Sequence, residues 1–243
     1  MNTPTHDLAQ GKAAISALAQ QMHRKGLDLN EADTRHQFID RLIHECLGWD
    51  RSHSVKLERN FNGDYSDYEL GEPPLVVIEA KRAGQTFEIP SEGTKSIVRT
   101  LRSIALNSQP FKAALEQTLK YCSDRGIQIG AIANSTQIVV FLAVRTDGVP
   151  PLEGKCLVFS GLDQLDEHFS RLWQAISPSA ADEGLLLKEL ISVNPTGVAP
   201  KLSSYITGYP SFRYPSDSQQ SLRTLSDLLI EDAPNTPTLR KRF

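Results

Sequence analysis

The chain has 243 residues, of which 40% are hydrophobic, 23% charged and 7% aromatic, and its formal net charge is −3. That length supports one domain with a real core, or one domain plus an appendage, without metal or disulfide staples. The charge excludes bulk basic attraction to nucleic acid. With no apolar run of about 18 residues, a membrane span is not expected, and the N-terminus lacks the pattern of a secretory leader. Three widely spaced cysteines, Cys46, Cys122 and Cys156, read as reduced core thiols of a cytoplasmic protein.

In chain order, residues 5–25 read as a helix. Asn30 can cap a second helix, Glu31 to Leu47, stopped by Gly48. Phe38, Leu42, Ile43, Cys46 and Leu47 form its buried stripe, with Glu31, Thr34 and Arg35 near its start on the other edge. Val55 to Arg59 alternates as a strand, Asn62-Gly63 signals a hairpin, and Asp67 to Leu70 is the return strand. After a Gly-Glu-Pro-Pro turn, the β-branched run Leu75 to Ile78 reads as a central strand that ends in Glu79-Ala80-Lys81-Arg82.

Residues 83–110 read as irregular or weakly helical. Phe111 to Arg125 is a helix stopped by Gly126, followed by strands Ile127 to Ala133 and Gln137 to Val144, then a strand near Cys156 to Phe159. A helix from Leu162 to Ile176 closes the pattern. Seven of the 14 prolines fall at or beyond Pro178, which marks residues 178–243 as a linker or partner-docking tail, with helical patches at 185–191 and 219–230. The fold class is α/β, a central mixed sheet with helices on both faces and a C-terminal connector.

The charged strand end carries the chemistry. Alternation puts Glu79 and Lys81 on one face, and the hairpin brings Asp67 beside Glu79. Two adjacent carboxylates are costly unless compensated, and Mg²⁺ (or Mn²⁺) accepts one or two carboxylates together with waters and phosphate oxygens. Lys81 beside such a metal would position an attacking water and offset phosphorane charge. This is the logic of phosphodiester hydrolysis. Asp64 competes with Asp67 for the metal role, but it falls in the expected turn. The chain has no phosphate-binding glycine loop and no zinc-hydrolase histidine spacing, so no nucleotide motor of its own is expected.

The ordered segments Glu31-Ala32-Asp33-Thr34-Arg35, Leu47-Gly48-Trp49-Asp50, Ser66-Asp67-Tyr68, Val77-Ile78-Glu79-Ala80-Lys81-Arg82 and Gln117-x-x-x-Tyr121 resemble the N-terminal nuclease domain of type I restriction enzyme R subunits, in the PD-(D/E)XK nuclease superfamily. The resemblance spans about residues 28–145, within a domain expected over 1–177. It implies a restriction-endonuclease-like core, and a Mg²⁺-dependent DNA endonuclease of a restriction or antiphage defence system. Asp67, Glu79 and the Ala80 backbone carbonyl match metal ligands, and Lys81 the water-handling lysine. Glu31 matches an acid that assists a second metal. Gln117 and Tyr121 match a motif directed at the DNA path or at Lys81.

Residues 81 to 125 carry eight basic side chains against four acidic ones, and Arg82, Lys95, Arg99 and Arg102 are the expected phosphate contacts. The relatives couple this domain to a helicase motor. A motor or sensor ATPase, in the same longer chain or in a partner, is therefore expected, with self-association as a further route to activity. The alternative reading is a nuclease-fold module that does not cut and acts through its partner.

Overall fold

The computed structural model describes residues 6–25, 30–61, 63–81, 89 and 96–191, without the side chains of residues 25, 31 and 64. Of the compact units Met1–Pro200 and Lys201–Phe243, the second lies outside the described residues, as does the expected helical patch at 219–230. Helix α1 covers Leu8–Lys25, and α2 starts at Glu31–Thr34 and runs on through two wider π-helical stretches, Arg35–Ile39 and Leu42–Cys46. Asn30 caps it as expected, its side-chain oxygen accepting from the Asp33 amide at 2.8 Å. Gly48 takes φ +80°, which lets the chain leave the helix. The π-helical stretches keep Phe38, Ile39, Leu42, Ile43, Cys46 and Leu47 all buried against the sheet.

Among the described residues seven strands follow: β1 Val55–Phe61, β2 Asp64–Leu70, β3 Val76–Ala80, β4 Val98–Thr100, β5 Ile129–Ala133, β6 Ile138–Leu142 and β7 Lys155–Phe159. They form one mixed sheet in the order β1-β2-β3-β5-β6-β7-β4. Only β3 and β5 run parallel; every other pair is antiparallel. The coarse class is the expected one, α/β with a mixed sheet flanked by helices. The parallel step comes from the crossover between β3 and β5, which holds α3 Leu101–Ala105 and α4 Gln109–Arg125.

The sheet separates two apolar layers. On one face Tyr68, Ile78, Ala80, Ala131 and Val140 meet α1, α2, α5 Leu162–Glu167 and α6 Phe169–Ile176. On the other, Val77, Ile132, Val139 and Phe141 meet α3 and α4. Ser108 caps α4, and Gly126 at φ +69° ends it. Where a single helix was expected over Leu162 to Ile176, His168 breaks it into α5 and α6. Beyond residue 177, α7 Pro178–Asp182 and α8 Leu185–Leu190 follow, and Ala181, Leu186 and Leu190 are buried in the first layer. The start of the expected connector is therefore part of the packing. Among the described residues no helix is long and apolar enough to cross a membrane.

Among the described residues, the region expected to be irregular or weakly helical holds β4, α3 and the first residues of α4. Strand β4 pairs with β7 through Val98↔Leu157, Arg99↔Cys156 and Thr100↔Lys155, at the sheet edge opposite β1. Three residues are too few to show alternation, so β4 is set by its partner alone. Upstream, the Gln137 side-chain amide clasps Ile89. It accepts from the Ile89 amide at 3.0 Å and donates to its carbonyl at 2.8 Å, and it donates again to the Ser160 carbonyl at 2.9 Å.

Candidate active site

Hairpin β1–β2 closes with Phe61 opposite Asp64, so Asp64 is the first residue of β2 and not part of the turn as expected from sequence. Between β2 and β3, Leu70, Glu69 and Tyr68 oppose Val76, Val77 and Ile78. One further step of that register opposes Asp67 and Glu79, and there the pairing stops. Asp67 instead turns its carboxylate onto β3, accepting the Ala80 amide through Oδ2 at 2.7 Å. The Lys81 amide still donates to the Ala133 carbonyl at 2.8 Å, which keeps the strand end fixed.

Glu79 and Lys81 share a face, as alternation requires, and the Lys81 ammonium donates to Glu79 Oε1 at 2.5 Å. Glu79 is buried, its side chain 5% exposed, while Lys81 is 21% exposed. Thus Asp67, in the middle of β2, and Glu79 and Lys81, at the end of β3, come together where the pairing of the two strands stops. The carboxylates offer hard oxygen donors, but among the described residues no three His, Cys, Asp or Glu side chains converge as a metal cage. A pair of carboxylates fits the way Mg²⁺ is bound, mostly through water and substrate oxygens.

Arg35 comes from the helix on the layer packed against Tyr68. Its guanidinium carbon stands 5.4 Å from the Tyr68 ring centroid. Nη1 lies 3.1 Å from Glu58 Oε1 and 3.5 Å from Asp67 Oδ1. Partial burial works to lower the Arg35 pKa, but Tyr68, Asp67 and Glu58 together outweigh it and hold it above its ordinary value. The Tyr68 hydroxyl donates to Asp40 at 2.8 Å, and burial first, then Asp40, pushes its pKa up.

Tyr121, expected to point at the DNA path or at Lys81, packs inside the protein. It is buried, and its hydroxyl donates to Glu69 Oε1 at 2.6 Å. Arg125 Nε and Nη2 donate to the two oxygens of the same carboxylate, at 3.1 and 3.3 Å. Burial, with Glu69 next, raises the Tyr121 pKa. Glu69 was not singled out from sequence. Its position two residues from Asp67 on one strand, and the Tyr121–Arg125 spacing of four on one helix, are the signals that place it. Gln117 is exposed and contacts the Tyr65 carbonyl at 3.4 Å. Glu31 opens α2, and its side chain, like residues Arg82 and Lys95, is outside the described residues.

Of the expected phosphate contacts, the two among the described residues stand away from the candidate site. Arg99 lies on β4 and Arg102 on α3 beside it, and β4 stands four strands from β3, about 19 Å at the usual strand spacing. Lys81, Arg102, Lys112, Lys120 and Arg125 each face a carboxylate, from Glu79, Glu153, Glu116, Asp124 and Glu69. The surplus counted along the sequence is largely spent on these pairs. Comparison with protein-family models, with curated proteins and with solved structures finds no match to this chain.

Proposed function

We propose that the chain is a Mg²⁺-dependent phosphodiesterase acting on DNA, on a restriction-endonuclease-like core, and that it serves as the nuclease module of a restriction or antiphage defence system. One observation carries the reading: Asp67 and the Glu79–Lys81 pair meet where β2 and β3 stop pairing. Asp67, Glu79 and the Ala80 carbonyl would hold the metal. Bound there, Mg²⁺ would polarise a phosphate oxygen and lower the pKa of a water. The chain's own part is positional. The Ala80 amide fixes one oxygen of Asp67, and burial fixes Glu79. Lys81 would place its side-chain nitrogen where phosphate charge would grow. DNA, and a motor or sensor ATPase in the same or another chain, are the partners this reading calls for.

The test is plasmid cleavage with Mg²⁺ by the full chain and by Asp67→Asn, Glu79→Gln and Lys81→Ala, alone and with candidate ATPase partners. Cleavage by the parent that each substitution abolishes supports the reading, and equal cleavage by parent and variants defeats it. One observation favours the second reading, a non-cutting module that acts through its partner. Both carboxylates already have a cation from their own chain, Arg35 at Asp67 and Lys81 at Glu79. A calorimetric Mn²⁺ titration without heat in parent and Glu79→Gln alike would select it.

A further inference from the structure

The β1–β2 ladder is interrupted at Asp67 itself, and the residue across the break, Glu58, has no role in the proposal above. Leu57 pairs with Tyr68 and Arg59 with Ser66, but Glu58 and Asp67, which oppose each other between them, do not pair. Glu58 is the one non-glycine residue with positive φ among the described residues, at +49°. That left-handed backbone is costly for a residue with a Cβ, and such outliers persist where the surroundings hold them in place. Its effect here is to bring an exposed carboxylate to the same Arg35 nitrogen that faces Asp67.

We infer that Arg35 is a positioning residue that stands in for the cation at Asp67, and that Glu58 is the acceptor to which Arg35 withdraws when a divalent metal enters. The inference rests on the metal-dependent reading of the site. Asp67 Oδ2 is committed to the Ala80 amide, so Oδ1 is the oxygen left for a metal, and Oδ1 is the one Arg35 faces. The 3.5 Å separation from Asp67 and the 3.1 Å separation from Glu58 show one nitrogen shared between two carboxylates. The Tyr68 ring under the guanidinium gives the side chain a platform on which to move between them. Arg35 thus stabilises Asp67 before metal arrives and competes with the metal afterwards. Glu58 sets the strength of that competition.

The two partners should therefore move metal affinity in opposite directions, which a loss of packing would not do. The experiment is calorimetric titration of MnCl₂ into the full chain and its Arg35→Gln, Arg35→Lys, Glu58→Gln, Asp67→Asn and Arg35→Gln/Glu58→Gln variants. Arg35→Gln should tighten Mn²⁺ by roughly tenfold, the scale on which one neighbouring charge acts on a carboxylate. Arg35→Lys should stay near the parent, and Glu58→Gln should weaken binding severalfold. In the double variant the Glu58 effect should vanish, since Glu58 acts only through Arg35.

Unchanged or weaker binding in Arg35→Gln overturns the inference, as does a Glu58 effect that survives in the double variant. If Arg35→Gln does not fold, Glu58→Gln decides, because its side chain is exposed, and parent-like affinity there overturns the inference. A parent whose binding is lost in Asp67→Asn, but which is indifferent to Arg35 and Glu58, leaves the metal site standing and removes only the Arg35 device. No Mn²⁺ binding by any protein in the series removes both.

Discussion

Replacing Tyr121 by Phe separates the role the sequence resemblance implies from the one the packing gives it. The substitution removes one oxygen from a buried side chain whose hydroxyl donates to the fully buried Glu69 carboxylate at 2.6 Å. A hydrogen bond to a charged acceptor contributes about 1.5–3 kcal/mol. Arg125 still donates to both Glu69 oxygens in the variant, so the carboxylate is not orphaned and the loss should fall near the lower end, about 1.5–2 kcal/mol.

At about 2–4 °C per kcal/mol for a domain of this size, that is a fall in Tm of about 3–8 °C. Urea unfolding followed by circular dichroism reads the free energy directly, with an unchanged m-value as the check that the folded state is intact. Mn²⁺ affinity should stay at the parent value. Glu69→Ala should cost more, about 3–5 kcal/mol, because it strands both Tyr121 and Arg125. A Tyr121→Phe protein as stable as the parent to within about 0.5 kcal/mol would refute the structural assignment. Combined with a tenfold loss of metal affinity, that result would return the hydroxyl to the active site.

Gly130→Ala should destabilise by about 1–3 kcal/mol in the same unfolding assay. Its new Cβ would stand 2.7 Å from Phe141 Cε2 and 3.3 Å from Thr118 Cγ2, with no room between β5 and α4; no measurable loss would show that the Phe141 ring yields freely. Trp49→Phe should cost about 1–3 kcal/mol, because the indole N–H donates at 2.9 Å to the Ile176 carbonyl and ties the turn after α2 to the end of α6; a near-neutral result would mean that carbonyl finds another donor. Stability should also fall in alkali. Burial pushes Cys46, Cys122 and Cys156 up to about 12. Unfolded thiols ionise near pH 8.5, so their contribution is complete below that pH. It declines as pH rises toward 12, by about 1–2 kcal/mol per thiol at pH 10. Chemical unfolding at pH 7 and pH 10 measures this, and equal stability at both would count against buried protonated thiols.

What could be read from sequence follows the reach of each signal. The caps at Asn30 and Gly126 are local, and both ends form where the residues place them. Alternation placed Glu79 and Lys81 on one face, and the hairpin brought Asp67 to them, because register propagates from turn to strand end. Signals fail where a partner distant in sequence decides. Arg102 is expected as a phosphate contact, and its pairing with Glu153 on the turn before β7 is not visible in the sequence. The resemblance directs Tyr121 at the DNA path or at Lys81, and Glu69, its partner 52 residues upstream, could not be assigned to it from spacing. Arg35 was visible only as a charge near a helix start. Its meeting with Asp67 depends on how α2 lies across β2, which periodicity does not specify.

Strand β4 has a consequence for how the chain assembles. It follows β3 in sequence, yet its partner β7 is the last strand of the sheet in chain order, and the paired Arg99 and Cys156 are 57 positions apart. The outer edge therefore cannot close until β5, β6 and β7 have formed a meander, and loop closure of that length slows folding. Between Lys81 and β4 in sequence, Ile89 is gripped by Gln137, and from β4 the chain returns through α3 and α4 to β5. The candidate site and the last-formed edge are thus two ends of one stretch of backbone. Amide exchange at Val98–Thr100 should report opening that leaves β3 and β5 closed, giving a handle on the edge apart from the chemistry at Glu79.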